Sequence, residues 1–308
     1  MGILHLKKFL VLPDVEITGI IDSDLRHCER VATQFGVKPY RALAELLFDT
    51  DAAIVATPTA SHYSVVRLAF EAGVHVLVEK PISTNLEQAA ELVKLASLNK
   101  VIFQVGFLER FRLRKLIAAL PFARPQWIEA QRFADTPGRE QAHIDVVMDL
   151  MIHDIDLVLS LVGEMPSVIS AWGLSMNSPL TDIAAARLEF PSGATANLSA
   201  NRVYDSKIRK LRFFSSEGYV CVDMLANEAK FGVRDNHGNI LKQAFRKEID
   251  ALAEQASEFV HCVLTKGNSV VSGSDGLASL RVASKIQEKI GNGLCGGVQR
   301  GMSDGAHV

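Results

Sequence analysis

Residues 52–105 decide the fold class, and they read AAIVATPTASHYSVVRLAFEAGVHVLVEKPISTNLEQAAELVKLASLNKVIFQV. Short apolar runs in this stretch are predicted strands, at residues 52–56 (AAIVA), 74–78 (VHVLV) and 101–105 (VIFQV). Helical spacing predicts a helix over residues 62–72 and another that opens at a Thr84-x-x-Glu87 capping box. Strands that alternate with helices of this length are typical of βαβ units in a parallel sheet.

The same alternation extends towards the start of the chain. Residues 15–21 (VEITGII) predict a buried strand, and residues 25–35 predict a helix closed by Gly36. A dinucleotide-binding domain opens with a strand and a G-x-G-x-x-G turn about 20 residues before an acidic residue. Here Gly2 stands at the place of the last glycine, ahead of Asp22. We therefore expect a Rossmann-type sheet in which the first strand and most of the glycine loop are missing.

The pattern changes from about Gly106. A strongly apolar helix is predicted over residues 146–162, and a second helix over residues 274–290. Between them lie runs with period-two alternation, at residues 168–172, 184–190, 194–200, 210–215 and 219–223. Pro191-Ser192-Gly193 predicts a hairpin turn, which favours an antiparallel sheet.

These patterns predict an α/β chain of two domains and a tail. Residues 1–105 form the nucleotide-binding domain, residues 106–290 form an α+β domain with a mainly antiparallel open sheet, and residues 291–308 are a Gly-rich tail.

Composition excludes several classes of protein. The 308 residues are 48% hydrophobic and 22% charged, with a net charge of −2, so nothing indicates disorder or a nucleic-acid or membrane partner. No apolar run approaches the ~18 residues that a membrane span needs, and the opening residues make a poor signal peptide. The 4 cysteines contain no CxxC pair, which argues against a zinc site or a disulfide framework. We expect a cytoplasmic protein.

Polar residues follow three of the predicted strands. Asp22 can accept hydrogen bonds from an adenosine ribose and repel a 2′-phosphate, which favours NAD over NADP; alternatively it caps the next helix. Thr57-Pro58 with His62 forms either a ligand loop or a plain connection. In Glu79-Lys80-Pro81, the lysine either points into the same crevice or is a surface residue.

The helix DVVMDLMIHDIDLVLSLVG carries the sharpest signal. It has almost no polar face, yet Asp149, His153 and Asp156 are embedded in it. Asp149 and His153 are four residues apart and share a face of an α-helix, where a carboxylate can orient an imidazole as a general base. A structural pair is the alternative, and a metal site lacks a second histidine or a cysteine nearby.

Cations interrupt the strand region ANRVYDSKIRKLRFF. Arg202, Lys207 and Arg209 could clamp a phosphate or diphosphate of a substrate, or form a solvated face. Arg110 and Arg132 are weaker candidates of the same kind.

The sequence resembles the Gfo/Idh/MocA family of NAD(P)-dependent sugar oxidoreductases. The resemblance rests on VEITGIIDSD, VATPTASHYSVV, VHVLVEKPIS, FQVGFLERF and DLMIHDIDLVLSLVG, and it covers about residues 2–290 in the family's order. Residues 79–81 match the EKP motif, and Asp149-x-x-x-His153 matches the D-x-x-x-H helix. The family fold is a Rossmann domain followed by an α/β domain with a large open antiparallel sheet.

The resemblance implies a role for each matching residue. Lys80 should lie near the nicotinamide and the reacting hydroxyl, His153 should take the hydroxyl proton, and Asp149 should orient the substrate or His153. The residues implied for NAD are Gly2, Asp22, Thr57, Pro58, His62, Glu79 and Lys80. The resemblance also implies a homo-oligomer, a dimer or a tetramer.

Within the family, the later segments are similar to those of bacterial enzymes that oxidise UDP-N-acetylglucosamine at its 3-hydroxyl for lipid A precursors. That similarity implies that the UDP diphosphate contacts Arg202, Lys207 and Arg209. Two other functions stay open on the sequence. One is a sugar-nucleotide-binding or regulatory protein whose cofactor binding is impaired by the missing glycine loop. The other is a metal-dependent hydrolase built on the Asp149 and His153 helix.

Overall fold

A computed structural model describes residues 1–118, 124–135, 144–235, 237 and 239–295. The chain divides into two compact units. The first comprises residues 1–120, 226–228 and 245–280, and the second comprises residues 121–225, 229–244 and 281–308. Residues 245–280 therefore group with the first unit, whereas the sequence pattern placed them in the second domain. The physical reason is that a helix in this segment packs on helices of the first unit.

The first unit is built on a parallel sheet of three strands in sequence order. The strands are β1 (Ala52–Val55), β2 (His75–Val78) and β3 (Phe103–Val105). The helices of this part of the chain are α1 (Gly2–Phe9), α2 (Leu25–Phe35), α3 (Leu43–Phe48), α4 (Thr59–Glu71), α5 (Leu86–Asn99), α6 (Leu108–Ile117) and α8 (Ala251–Thr265). Helix α8 packs against α1 and α6. The predicted α/β class and parallel sheet are confirmed.

Local signals at the helix ends explain most of the boundaries. Helix α2 begins after Asp24, whose carboxylate accepts the N–H of His27, and ends at Gly36 with φ of +67°. The predicted capping box at Thr84 is wrong. Asn85 is the N-cap of α5, and its side chain accepts two backbone N–H groups of the first turn.

Residues 15–21 do not form the predicted strand. Within the described chain, their pairing is limited to an isolated parallel bridge between Ile20 and Pro39. Val15 and Ile17 still pack against the core around Phe9 and Leu77, so their apolar character is explained by burial. A strand needs a neighbour with a matching register, and hydrophobic periodicity alone does not supply one.

The second unit is built on an eight-stranded sheet in the order β11-β10-β9-β8-β4-β7-β6-β5. Its strands are β4 (Trp127–Asp135), β5 (Val168–Leu174), β6 (Ile183–Glu189), β7 (Thr195–Asn201), β8 (Val203–Ser215), β9 (Gly218–Asp223), β10 (Glu228–Arg234) and β11 (Ile240–Arg246). The pair β4–β7 is parallel, and the pairs β4–β8, β5–β6, β6–β7 and β8–β9 are antiparallel. The predicted hairpin between β6 and β7 is confirmed, with Gly193 at φ of +85°.

One face of this sheet carries the central helix of the unit. A π-helical segment (Val147–Met151) runs into α7 (Ile152–Val162), and α7 packs on β4 and β7. Helix α9 (Gly273–Cys295) runs past residue 290, so residues 291–295 are helical where the sequence predicted a tail. The rest of that predicted tail lies outside the described residues. In the described part of the chain, no helix is both long and apolar enough to cross a membrane.

Candidate active-site residues

Two loops at one edge of the parallel sheet carry the polar residues of the first unit. Because the strands are parallel, their carboxyl ends share an edge, which is where sheets of this kind bind ligands. Thr57 and Pro58 follow β1 and are exposed, while Glu79 and Lys80 follow β2 and are half-buried. The backbone N–H of Glu79 donates to the carbonyl of Val55 at 2.9 Å. The two loops therefore leave the sheet side by side.

Asp22 lies just ahead of helix α2 and is exposed. The alternative that it caps this helix does not hold, because Asp24 is the N-cap and accepts the His27 N–H at 3.0 Å. That hydrogen bond is the main cause that lowers the pKa of the Asp24 carboxyl below its ordinary value. Asp22 itself accepts the Asp24 N–H through Oδ1 at 2.9 Å. Its carboxylate is thus available at the surface to a ligand hydroxyl.

His62 connects the two loops from inside the protein. Its ring is 1% exposed, and its Nδ1 lies 2.8 Å from the carbonyl oxygen of Pro81. Its Nε2 lies 2.9 Å from the carbonyl oxygen of Thr57. Both ring nitrogens are therefore engaged by backbone that follows β1 and β2.

His5 contacts the EKP segment and was not among the predicted site residues. It lies in α1, three residues after Gly2, is 2% exposed, and places Nε2 at 2.7 Å from Glu79 Oε1. On the other side of Glu79, a Cβ at Gly106 would lie 3.0 Å from Glu79 Oε2. A histidine among the apolar residues Ile3, Leu4 and Leu6 was the available signal, but its partner is 74 residues away in sequence.

In the second unit, the predicted base lies where the helix changes type. The carboxylate of Asp145 accepts the N–H groups of Val147 and Met148 at 2.8 and 3.0 Å, and it thereby fixes the start of the π-helical segment. Asp149 belongs to this segment, and His153 belongs to the first turn of α7. The sequence treated both as one α-helix. The π-helical turn, a feature often found at functional sites, has no signal in the spacing.

His153 is the accessible residue of a buried run. Within the described stretch 151–159, every other side chain is buried, and His153 is half-buried. Asp149, one turn earlier, is half-buried too. An imidazole at the opening of an apolar helix is shielded on most sides and still reachable by a ligand, as a general base requires.

The residue after His153 anchors the helix to the sheet. Asp154 receives Arg132 Nε at 3.1 and 3.2 Å and Arg132 Nη2 at 2.8 Å, and the two side chains are 6% and 3% exposed. Arg132, predicted as a weak substrate contact, therefore directs its guanidinium to a structural carboxylate. Asp154 was not among the predicted site residues, because a carboxylate beside His153 in sequence does not reveal which way it points.

Two further predicted arginines are also held within the protein. Arg202 donates to Asp182 at 2.7 Å, to the Ile144 carbonyl at 2.5 Å and to Ser178 at 2.9 Å. Arg110, in the first unit, pairs with Asp275 at 3.6 Å.

Lys207 and Arg209 are the more accessible cations of the predicted set. Lys207 is exposed and Arg209 is half-buried on β8. Arg209 lies opposite Arg132 in the β4–β8 register, on the face where Arg132 reaches Asp154 of α7. Lys207 lies where that register shifts, between the pairs Phe133–Ile208 and Asp135–Val203. The structure therefore separates these two cations from Arg202, with which the sequence grouped them. The described residues contain no group of three or more side chains placed to hold a metal ion.

Two family models match successive parts of the chain. Residues 1–107 match a family model described as oxidoreductase family, NAD-binding Rossmann fold, and residues 112–221 match the GFO/IDH/MocA C-terminal domain. The chain is 29% identical over 300 residues to UDP-N-acetylglucosamine 3-dehydrogenase of Acidithiobacillus ferrooxidans, which covers 93% of each chain. A solved structure of that enzyme superposes with a TM-score of 0.88 over 94% of each chain. The chain is also 25% identical over 324 residues to scyllo-inositol 2-dehydrogenase of Bacillus subtilis, covering 96% of this chain and 92% of the relative.

Proposed function

Because the chain belongs to the Gfo/Idh/MocA family of oxidoreductases, we propose that it oxidises a hydroxyl of a sugar nucleotide to a ketone with NAD as hydride acceptor. The proposed substrate is UDP-N-acetylglucosamine, oxidised at its 3-hydroxyl, and we propose a role in lipid A precursor synthesis in the cytoplasm. The similarity to UDP-N-acetylglucosamine 3-dehydrogenase supports this substrate. The observation that carries the reaction type is His153, the accessible imidazole in an otherwise buried helical run.

The chain's residues divide the work of such an oxidation. NAD, when bound, accepts the hydride from the carbon that carries the reacting hydroxyl. His153 Nε2 takes the hydroxyl proton, because Nδ1 is buried, and Asp149 orients the substrate or the imidazole. Lys80 supplies a cation towards the same hydroxyl oxygen, where it favours the negative charge that develops as the proton leaves.

Several residues of the first unit fit a dinucleotide. Asp22 has an exposed carboxylate that is not used for capping, as ribose hydroxyls require, and the same charge disfavours the 2′-phosphate of NADP. Exposed Thr57 and Pro58 lie at the carboxyl edge of the sheet, beside Glu79. Buried His5 Nδ1 has no hydrogen-bond partner among the described residues, which leaves a polar atom near the start of α1 for a ligand or water. Gly2, the first residue of α1, completes the proposed set.

We assign the substrate diphosphate to Lys207 and Arg209. Arg209 lies opposite Arg132, which reaches Asp154 on α7, the helix that carries His153, and Lys207 is two residues away on β8. Two cations this close along one strand favour a pair of phosphates by charge and by hydrogen bonding. Arg202, Arg132 and Arg110 then contribute by holding the surrounding elements through their ion pairs.

The opposite face of the eight-stranded sheet supports the proposed homo-oligomer. Val168, Trp172 and Leu174 point out from β5, with Trp172 58% exposed. Further across the sheet, the guanidinium of Arg187 on β6 lies 5.6 Å from the ring centre of Trp127 on β4. Exposed tryptophan and arginine on one face are typical of a protein interface, and a second copy of the chain is the occupant we propose. Sedimentation analysis should show a dimer or tetramer that Trp172→Lys weakens; a monomer would contradict this part.

The test of the function is turnover and cofactor binding by the full chain. Titration with NADH, followed by fluorescence, should show micromolar binding that UDP-N-acetylglucosamine tightens. The enzyme should form NADH from NAD and that substrate, and Lys80→Ala and His153→Ala should each remove at least about 99% of kcat without loss of the folded state. Normal turnover in either variant would contradict the catalytic role proposed for the residue that it replaces. Turnover with scyllo-inositol alone would replace the proposed substrate.

A further inference from the structure

The EKP segment is held on both sides of Lys80. The residue before Lys80 is Glu79, whose carboxylate contacts the ring of His5 at 2.7 Å. The residue after it is Pro81, whose carbonyl oxygen lies 2.8 Å from His62 Nδ1. Both histidines are almost fully buried, and both belong to helices that flank the sheet, α1 and α4. The backbone of Lys80 is therefore confined between two fixed points.

The His62 ring contacts the loops that follow both strands. Its Nδ1 lies 2.8 Å from the Pro81 carbonyl oxygen, and its Nε2 lies 2.9 Å from the Thr57 carbonyl oxygen. A carbonyl oxygen can only accept a hydrogen bond, so a ring N–H donates to the carbonyl that it faces. One buried side chain thus lies between the loop after β1 and the loop after β2 and contacts both.

The His5 contact closes the other side. Glu79 is bounded by His5 and by the backbone at Gly106, where a Cβ would lie 3.0 to 3.2 Å from Glu79 atoms. The N–H of Gly106 donates to Val78 O at 2.7 Å, so this boundary is part of the sheet. The Glu79 side chain therefore has little space in which to move, and the Glu79 backbone N–H is held by the Val55 carbonyl, so the residue before Lys80 is fixed.

We propose that His5 and His62 are positioning residues that hold Lys80 in its working orientation, an inference that rests on the proposed role of Lys80. Neither ring needs to touch the substrate for this role. Misplacing a reacting group by about 1 Å can cost about 100-fold in rate. Loss of either anchor should therefore reduce kcat far more than it changes KM.

An ordinary structural role for these histidines makes a different prediction, and His75 is the matched control. His75 lies at the amino end of β2, the end away from Lys80, and its Nδ1 accepts the backbone N–H of Ile102 at 2.8 Å. His75 is half-buried, accepts a backbone hydrogen bond, and belongs to β2, the strand that leads to Glu79 and Lys80. His75→Leu should cost stability without affecting the EKP segment.

The experiment compares the full chain with His62→Leu, His62→Gln and His75→Leu. Steady-state kinetics with NAD and UDP-N-acetylglucosamine, thermal unfolding, and hydrogen exchange of the peptide 78–85 are measured for each. We expect His62→Leu to lose about 10-fold to 100-fold in kcat, with KM changed less than about threefold, and to exchange faster in that peptide. His62→Gln, which keeps N–H donors without a ring, should recover most of the lost kcat. His75→Leu should stay within about twofold of the wild type in kcat and in the exchange rate of peptide 78–85, and it should unfold at a lower temperature.

His5→Leu and His5→Gln form the second pair of variants. His5→Leu should lose more kcat than His5→Gln, as for the two His62 variants. The proposal is overturned if folded His62→Leu keeps wild-type kcat and wild-type exchange, or if His75→Leu loses as much of both. If the proposed function is wrong, the wild-type chain will show no turnover. In that case the exchange of peptide 78–85 still decides whether the two histidines hold this segment.

Discussion

Removing one partner of the Arg132–Asp154 pair should destabilise the second unit strongly. The two side chains are 3% and 6% exposed and make three contacts of 2.8 to 3.2 Å. Asp154→Ala leaves the guanidinium buried without that carboxylate, which costs about 3–5 kcal/mol of unfolding free energy. Arg132→Met combined with Asp154→Leu removes both charges, and the double variant should unfold within about 2 kcal/mol of the wild type.

Urea unfolding measures this directly, because the chain's 2 tryptophans, Trp127 and Trp172, both lie in the second unit. Their fluorescence reports the unit that contains the pair. With a slope of about 2 kcal/mol per molar urea, the midpoint of Asp154→Ala should fall by about 2 M. Because Asp154 follows His153 and anchors α7, the remaining folded enzyme should also lose kcat. Costs of the single variants below about 1 kcal/mol, or costs that simply add in the double variant, would refute the reasoning.

The remaining predictions concern acid stability, cofactor choice and the EKP segment. Burial raises the pKa of the Asp182 carboxyl, but backbone N–H groups and the Arg202 guanidinium lower it more, so the pKa lies well below its ordinary 3.8. Stability from this group is therefore complete above pH 3.8 and lost as the pH falls below it, and acid unfolding of Asp182→Asn should show a shallower decline than the wild type. Asp22→Ser should raise the ratio of kcat/KM for NADP to that for NAD by about tenfold or more, and an unchanged ratio would remove the ribose assignment. Gly106→Ala should lower kcat about tenfold, because the new Cβ would meet Glu79 at 3.0 to 3.2 Å; unchanged kinetics would show that Glu79 can shift freely.

Locally encoded features were predictable from the sequence. Helix α2 begins and ends where the sequence indicates, since an acidic cap and a glycine with positive φ are read from neighbouring residues. The hairpin around Gly193 depends on local turn geometry in the same way. Residues 15–21 show the limit of this reasoning, because apolar periodicity reports burial and says nothing about a pairing partner.

For the candidate site too, some features could be predicted from the sequence and others depend on tertiary contacts. The sequence by itself determined the fold class and the family motifs. It also predicted site roles for Asp22, Lys80 and His153, which lie at the end of an element or inside an apolar one. Tertiary structure alone decided which polar groups are engaged within the protein. His5 contacts Glu79, 74 residues away in sequence, and Arg202 pairs with Asp182. A buried charge takes whichever partner the packing brings within hydrogen-bond distance, and packing is a property of the whole fold.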